Sequence, residues 1–307
     1  MGKSSLETSD SLFYKPVIAG SLSGMAVRFV ISPLDVVKIR LQLERNMKNN
    51  QSTTATNVIK SILRKEGALA FWKGNLPAEI MYLLYGGTQF SAYSFVKNTA
   101  MKDSGIPKDF QSLICGGLSG CTATIVSYPF DTLRTRLAAD KHKGFNHILK
   151  VIDDIRTKES ARGFYQGLKP TIYQVFILTG LSFWTYNRLR EFQQEYEKIN
   201  DKDSMIIPIS GFIAGCFSKA AVFPLDSVKR RLQVRGSSSL TKQNEYRHLA
   251  AQKDVYNSKN IWKIWTRIVQ TEGLIGLYRG CGIAIIKSGP ASSLSFTFYE
   301  FFMRYLT

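Results

Sequence analysis

Long apolar runs are missing from this sequence of 307 residues. A helix that crosses a bilayer usually needs about 20 consecutive apolar residues, and no such run stands out. The mean hydropathy is only −0.09, so composition alone would fit a soluble helical protein of about two domains. Residues 1–14 also lack an apolar signal core and an arginine-rich pattern. We therefore expect neither a secretory signal nor a cleaved transit peptide, and we expect the targeting information to lie within the chain.

Motifs for catalysis and metal binding are missing as well. No CxxC pair and no metal-ligand spacing is formed by the four cysteines, Cys115, Cys121, Cys216 and Cys281. We expect them to fill small packing positions, and we predict no metal site and no cofactor. The sequence has no nucleophile elbow and no P-loop, so we do not expect an enzyme.

Acidic residues are scarce relative to basic ones. The sequence has 23 Asp and Glu against 41 Lys and Arg, a net charge of +18. Such an excess suits nucleic acid, an anionic membrane surface or an anionic substrate. Because there is no zinc spacing and no RNA-binding motif, we do not expect nucleic acid as a partner. We favour the lipid surface and an anionic substrate together.

The most informative feature of the sequence is one motif that occurs three times. The pattern Pro-x-Asp-x-x-Lys/Arg-x-Arg begins at Pro33, Pro129 and Pro224, which are 96 and 95 residues apart. A GxxxG pair, which lets helices approach closely in lipid, precedes each proline at the same offset: Gly20 and Gly24, Gly116 and Gly120, Gly211 and Gly215. Later in each unit, two apolar or aromatic residues are followed by a polar residue and then by a glycine, which is Gly74, Gly167 or Gly280. Repeats of this kind determine the architecture of a chain.

In triplicate, these motifs resemble the mitochondrial carrier family from about residue 13 to residue 306. The resemblance implies an all-α membrane protein with six transmembrane helices in three pseudo-threefold repeats, each with a short matrix-side helix. The repeats would span residues 13–106, 107–200 and 201–307. It also implies a multi-pass transporter of the mitochondrial inner membrane, with both termini in the intermembrane space. We expect a monomer, with cardiolipin bound near Gly74, Gly167 and Gly280.

The pattern of the sequence fits this architecture. Long helices are predicted near residues 14–44, 76–99, 108–140, 169–197, 205–235 and 282–306. Short amphipathic helices are predicted near residues 53–66, 146–158 and 259–271, and the polar stretch 236–259 is predicted to be an exposed loop. Helices around an aqueous cavity need only an apolar outer face, and prolines within them are tolerated where neighbouring helices satisfy the backbone. A low mean hydropathy is therefore compatible with six spans.

The acid and the base of each proline motif could pair in two ways. They stand three residues apart, so they could pair within one helix. The triplication favours a ring between helices, which by the resemblance pairs Asp35 with Arg134, Asp131 with Lys229 and Asp226 with Lys38, and closes the matrix side. The family often places a bracing glutamine nine residues after each proline. Here those positions hold Gln42, Ala138 and Gln233, so one brace is missing.

The gate on the side opposite the matrix departs from the family pattern. The usual motif of an aromatic, an acid and a base is incomplete in all three repeats. Arg190 and Glu300 can form an ion pair between helices, while Lys97 and Asn187 hold other positions of this gate. We expect the intermembrane-space gate to be weaker than the matrix gate, so that the resting protein is open to the intermembrane space.

Positions at which the repeats differ point to the substrate, because a substrate is not threefold symmetric. Five residues before the prolines stand Arg28, Thr124 and Lys219, and seven residues after the glycines stand Met81, Gln174 and Lys287, with Val175 next to Gln174. Charges within spans are costly and mark substrate paths, although they can also snorkel toward head groups. Three cations predict a substrate with two or more negative charges, such as a phosphate ester. The lone acid Glu79 could face a cationic part of the substrate or neutralise Arg28.

Within the family, residues 72–79 and 85–90 are similar to the thiamine pyrophosphate carriers. A doubly negative pyrophosphate on a positively charged thiazolium would suit three cations and Glu79. The resemblance implies import in exchange for nucleotides or thiamine monophosphate. Coenzyme A or an adenine or deoxynucleotide is an alternative substrate, disfavoured by Gln174 and Val175. An alternative of another class is a membrane adaptor that has lost transport.

Overall fold

The computed structural model describes residues 3–43, 54–99, 108–142, 148–179, 181, 206–235, 237, 240 and 261–306. Within these residues the protein is helical and has no β-strand. The helices are α1 (Lys3–Leu43), α2 (Ala55–Lys65), α3 (Asn75–Thr99), α4 (Lys108–Ala139), α5 (Ile148–Lys158), α6 (168–179), α7 (Ile206–Arg235), α8 (Ile261–Tyr278), α9 (Cys281–Ile286) and α10 (Ser288–Leu306). Short 3-10 helices, Ala68–Trp72 and Ala161–Tyr165, lead into α3 and α6.

The helix bounds follow the predicted positions, with three differences. The helix predicted near residues 282–306 is interrupted at Lys287 and consists of α9 and α10. Helix α1 begins at Lys3 instead of near residue 14, because residues 3–15 contain no glycine or proline that would end a helix. Helix α8 continues past residue 271 to Tyr278, but Gly273 within it has a φ of 71° and breaks the helical path. The predicted helix end near residue 197 and most of the predicted loop at 236–259 lie outside the described residues.

The three prolines of the repeated motif lie inside long helices. Pro129 is within α4 and Pro224 within α7, and Pro33 is within α1. Each proline lacks the donor for one helical hydrogen bond and favours a kink at the same point of its repeat. Among the helices of the described residues, none is both long enough and apolar enough to qualify as a membrane span by hydropathy.

Each repeat turns twice through a left-handed backbone conformation between its short helix and its next long helix. The first turn uses Gly67 (φ 90°), Ser160 (φ 63°) and Gly273 (φ 71°), and the second uses Gly74 (φ 81°), Gly167 (φ 84°) and Gly280 (φ 83°). Glycine adopts these angles without the steric penalty of a Cβ atom. Among the described residues, Ser160 is the one residue other than glycine with a positive φ.

The second turn of each repeat packs against the backbone of the next repeat. A Cβ atom at Gly74 would lie 2.7 Å from the carbonyl oxygen of Arg134. The same approach recurs in the other two repeats. A Cβ atom at Gly167 would lie 3.1 Å from the carbonyl oxygen of Lys229, and one at Gly280 would lie 3.3 Å from the carbonyl oxygen of Lys38. The three glycine contacts therefore lead from the first repeat to the second, from the second to the third, and from the third back to the first.

The close helix approach expected at the GxxxG pairs is not found at Gly20, Gly24 or Gly116. A Cβ atom at any of these glycines would meet nothing within 4 Å, and Gly20 and Gly24 are exposed. They precede Asp35 by 15 and 11 residues, which is roughly 16–22 Å along the helix axis. They therefore lie away from the point at which the helices converge.

The main apolar cluster of the described residues lies near the prolines. Val36 and Val37 of α1 contribute to it, as do Ala138 of α4 and Val228 of α7. The amphipathic short helices cover it with Val58, Ile62, Ile264 and Ile268. Because all three repeats share this cluster, it holds the proline segments of α1, α4 and α7 together at one end of the bundle.

Candidate functional site

Three ion pairs join α1, α4 and α7 beside the prolines. Asp35 contacts Arg134. The Asp131 carboxylate lies 2.8 Å from the Lys229 ammonium, and the Asp226 carboxylate lies 2.7 Å from the Lys38 ammonium. Each acid thus contacts a base on a different helix, in the ring arrangement that the triplication favours. The side chains are 8–14% exposed, so the pairs form a nearly closed layer across the centre of the bundle.

Two of these carboxylates also receive a glutamine hydrogen bond. The amide of Gln42 donates to Asp226 at 3.0 Å, and the amide of Gln233 donates to Asp131 at 2.9 Å. Both glutamines are fully buried. The third position is held by Ala138, which has no side-chain donor, so the Asp35–Arg134 pair has no glutamine brace.

An additional base strengthens one joint of the ring, where a joint is the ion pair between two repeats. This joint is the pair of Asp131 in the second repeat with Lys229 in the third. The Arg230 guanidinium lies 3.0 Å from the Asp131 carboxylate and also donates to the carbonyl oxygen of Gln233's side chain at 3.0 Å and to the Thr135 hydroxyl. Sequence reasoning missed Arg230, because the repeat pattern specifies the bases on either side of this position. The signal was the run of three consecutive bases at 229–231, where the other two repeats place Ile39 and Thr135 between their bases.

The last base of each motif forms a second set of ion pairs. Arg136 lies 2.7 Å from Glu159 and Arg231 lies 2.6 Å from Glu272. Arg40 makes the equivalent contact with Glu66, at 2.8 Å between Nη2 and Oε2. These pairs connect each proline helix to the short matrix-side segment of its own repeat. The bases belong to the repeated proline motif, but the sequence gave no indication that they contact these glutamates.

Glu66 has two basic partners. Besides Arg40, the Lys73 ammonium lies 2.6 Å from its carboxylate and also donates to the backbone carbonyls of Asp140 and His142. Burial raises the pKa of Glu66, but the hydrogen bonds and charges of Arg40 and Lys73 outweigh burial and leave the pKa below its usual value. Glu66 therefore keeps its negative charge to a lower pH than an exposed glutamate does.

The predicted substrate cations lie above the ring. Lys287, in the turn between α9 and α10, contacts the Asp35 carboxylate. Arg28 of α1 stacks on the ring of Tyr82. Lys219 of α7 is close enough to interact with the charges of Lys38 and Lys287. Three different helical segments thus bring positive charge to one region.

Glu79 and Tyr82 of α3 complete the charged part of this region. Glu79 lies near Asn75 and interacts with the charge of Arg28, which fits the interpretation that it neutralises Arg28. Tyr82 also faces Arg134, at 6.0 Å from the ring centre. Tyr82 was missed from the sequence because it stands one position after Met81, which the repeat register selects.

The remaining predicted contact residues have varied environments. Thr124 is buried, and its hydroxyl donates to the carbonyl of Gly120 at 2.7 Å. Val175 packs against Gly120, and Met81 is half-buried. The side-chain oxygen of Gln174 is buried and accepts no hydrogen bond from the described residues. Gln174 thus has a hydrogen-bonding capacity that the described residues leave unused.

The opposite mouth is described only in part. Lys97 near the end of α3 and Glu300 in α10 are both exposed. Asn187 and Arg190 lie outside the described residues, so the predicted pair between Arg190 and Glu300 stays a prediction.

Comparisons with known proteins cover almost the whole chain. The model of a family described as "Mitochondrial carrier protein" matches residues 9–104, 107–197 and 202–307. A protein of Lodderomyces elongisporus is 38% identical over 303 residues, covering 95% of this chain and 91% of the relative. A protein of Candida albicans is 37% identical over 295 residues (94% and 91%), and one of Pyricularia oryzae is 34% identical over 310 residues (94% and 92%). All three relatives are named "Mitochondrial thiamine pyrophosphate carrier 1".

Proposed function

This chain belongs to the mitochondrial carrier family of inner-membrane transporters, and from this premise we propose that it imports thiamine pyrophosphate into mitochondria. The counter-substrate in this proposal is a nucleotide or thiamine monophosphate. The names of relatives that match nearly the full length support the choice of substrate.

The observation that carries the proposal is the charge of the region above the ring. Arg28, Lys219 and Lys287 approach it from different helical segments, and Glu79 interacts with Arg28. A pyrophosphate needs two or more cations, and each charge-assisted hydrogen bond contributes about 1.5–3 kcal/mol. Glu79 is the acid that would face the thiazolium. Thr124, Met81, Gln174 and Val175 would line the uncharged part of the site.

The charge pattern discriminates between the candidate substrates. Coenzyme A and adenine or deoxynucleotides also carry phosphates and would use the same three cations. They have no permanent cationic ring for Glu79, so this residue favours thiamine pyrophosphate. A transport-inactive adaptor would need no gate, whereas three ion pairs between helices are kept in the described residues.

We further propose that the ring is the matrix gate. Asp35, Asp131 and Asp226 with Arg134, Lys229 and Lys38 would hold it closed, and Gln42 and Gln233 would brace it. Lys97, Asn187, Arg190 and Glu300 would form a weaker gate at the intermembrane-space side, where both termini would lie. Substrate binding shifts the balance between two such gates only by its difference in affinity for the two states.

Lipid binding belongs to the same proposal. Helices α3, α6 and α9 begin directly after Gly74, Gly167 and Gly280, and helix N-termini attract phosphate groups. Beside Gly167, a groove lined by Lys169, Tyr173, Trp262 and Trp265 offers apolar walls for acyl chains. We propose cardiolipin at these three places, with the carrier acting as a monomer.

The direct test is uptake by reconstituted vesicles. Purified protein in cardiolipin-containing vesicles is loaded with thiamine monophosphate or a nucleotide and supplied with labelled thiamine pyrophosphate outside. We expect saturable uptake that requires an internal counter-substrate, and about a tenfold loss or more for Lys219→Ala. Uptake of coenzyme A or nucleotides with no uptake of thiamine pyrophosphate would refute the choice of substrate, and no uptake of any of them would favour the adaptor.

The role of Glu79 has its own test. Glu79→Gln should weaken competition by thiamine pyrophosphate more than competition by inorganic pyrophosphate or by a nucleotide. Equal losses for all three competitors would mean that Glu79 only organises Arg28.

A further inference from the structure

The three carboxylates of the ring differ in their second donor. Asp226 and Asp131 each receive a hydrogen bond from a buried glutamine amide, Gln42 or Gln233. The equivalent position for Asp35 is held by Ala138. A small cleft with room for about one water molecule is lined there by Asp35, Arg134 and Ala138 together with other residues. The missing glutamine thus leaves Asp35 without an amide donor and leaves space beside the pair.

A lysine from another helical segment contacts the unbraced carboxylate. Arg134 contacts one oxygen of Asp35, Oδ2, and Lys287 contacts the other, Oδ1. Asp35 therefore has a second donor beside its ring partner, as Asp226 has in Gln42 and Asp131 has in Gln233. The difference is in the origin of the second donor, because Gln42 and Gln233 lie on the ring-forming helices α1 and α7, whereas Lys287 lies in the turn between α9 and α10.

We propose that Lys287 is the brace of the Asp35–Arg134 pair, and that the substrate removes it. The second half of this inference rests on the proposed function, in which Lys287 binds an anionic substrate. A phosphate group that approaches Lys287 competes with Asp35 for the same ammonium group. Binding of the substrate then leaves Asp35 with Arg134 alone, while the glutamines continue to hold the other two carboxylates.

The consequence is that the matrix gate begins to open at one particular ion pair. The joint between the first and second repeats loses its brace when the site fills, whereas the Asp131 joint keeps Gln233 and Arg230. One lost hydrogen bond to a charged group shifts an equilibrium by about tenfold or more. Lys287 therefore acts as a positioning residue that couples the occupied site to the gate, in addition to its contact with the substrate.

The first part of the test uses no substrate. A double-mutant cycle combines Lys287→Met with Ala138→Gln, which supplies the missing glutamine, and thermal unfolding is measured in detergent. We expect the effect of Lys287→Met on the melting temperature to depend on the residue at position 138, with about 2–4 °C less destabilisation when a glutamine there already holds Asp35. The matched control is Lys219→Met, which removes a cation from the same region and should show no such dependence on position 138.

Two results in this part would overturn the brace. One is an equal effect of Lys287→Met in the native background and in the Ala138→Gln background. The other is the same coupling for Lys219→Met, which would show that net charge alone is measured. If Ala138→Gln fails to fold, Ala138→Asn provides the shorter amide, and Gln42→Ala gives the cost of removing a brace that is already present. A smaller cost for Lys287→Met than for Gln42→Ala, together with no coupling to Ala138→Asn, would also contradict the proposal.

The second part tests removal by substrate. In Ala138→Gln the brace is permanent and Lys287 is released to the ligand. We expect thiamine pyrophosphate and inorganic pyrophosphate to stabilise this variant at least as well as the native protein, while exchange slows by about tenfold. Unchanged exchange would refute the removable brace. The cycle without substrate is independent of which compound is carried, so a failure of thiamine pyrophosphate as the substrate would remain distinguishable from a failure of the brace.

Discussion

Replacement of Ser160 by glycine should stabilise the protein. Ser160 has φ 63° and ψ 179°, a region of backbone conformation that is occupied almost entirely by glycine. The equivalent residues of the other repeats are Gly67, with φ 90° and ψ 171°, and Gly273, with φ 71° and ψ −177°. The second repeat thus makes the same turn with a side chain that the turn disfavours.

The magnitude follows from two opposing effects. A non-glycine residue in such a region costs about 1–3 kcal/mol, whereas a glycine gives the unfolded chain more freedom, which costs about 0.5–1 kcal/mol. No side-chain cap hydrogen bond is made at Ser160, so little is lost with its hydroxyl. The net gain for Ser160→Gly is about 0.5–2 kcal/mol, and for a protein of this size the melting temperature should rise by about 2–6 °C.

Thermal unfolding of purified carrier measures this gain. The reverse changes, Gly67→Ser and Gly273→Ser, should each lower the melting temperature by a similar amount. Exchange activity should be retained in Ser160→Gly, because the turn is not part of the ring or of the proposed site. A stability of Ser160→Gly equal to or below that of the native protein, with Gly273→Ser destabilised, would refute the account based on backbone strain.

Three further changes test other contacts. Gly74→Ala should lower the free energy of unfolding by more than about 2 kcal/mol, since its Cβ would meet the Arg134 carbonyl at 2.7 Å in a left-handed turn. Glu66→Gln should cost about 3–5 kcal/mol near neutral pH, because it removes the carboxylate that buried Arg40 contacts. The contribution of Glu66 is fully present above the unfolded-state pKa and is lost as the pH falls through its lowered folded-state pKa, so Glu66→Gln should lose less stability in acid than the native protein does. Arg230→Thr should loosen the Asp131 joint and raise labelling of the cavity from the matrix side by about tenfold without substrate.

Each of these changes has a control in the chain. Gly20→Ala faces open space and should leave the melting temperature nearly unchanged, so an equal loss at Gly20 and Gly74 would contradict the steric argument. A parallel decline of native protein and Glu66→Gln in acid would assign the pH dependence to other carboxylates. Threonine is the residue that the second repeat places at the position of Arg230. Unaltered labelling of Arg230→Thr would mean that Arg230 does not hold the gate.

The ring and the transporter class could be predicted from the sequence because the motif is repeated. Pro33, Pro129 and Pro224 place an acid and a base in the same register three times, and membership of the carrier family confirms the predicted fold of three helical repeats. The regions of positive charge were found by the opposite reasoning, from positions at which the repeats differ. Both methods compare equivalent positions, and neither requires knowledge of any side-chain contact.

The contacts that were missed are those without a fixed sequence spacing. Arg136 and Glu159 are 23 residues apart, whereas Arg231 and Glu272 are 41 residues apart, because the third repeat contains a longer connection. The contact between Lys287 and Asp35 spans 252 residues and has no counterpart in the repeat pattern. Such contacts depend on how the helices are packed, and a pattern of residue types along the chain does not specify the packing.

The glycine contacts between repeats also bear on where the chain could begin. The junction between the third and first repeats has no covalent link, yet Gly280 meets the carbonyl of Lys38 as Gly74 meets that of Arg134. Helix α1 also binds α10 directly, through a hydrogen bond of 2.9 Å from the Ser23 hydroxyl to the carbonyl of Ser295. The break in the chain between the third and first repeats could therefore be exchanged with a connection between two other repeats. A circular permutant that joins residue 307 to residue 9 and opens the chain between residues 104 and 107 would keep every one of these contacts.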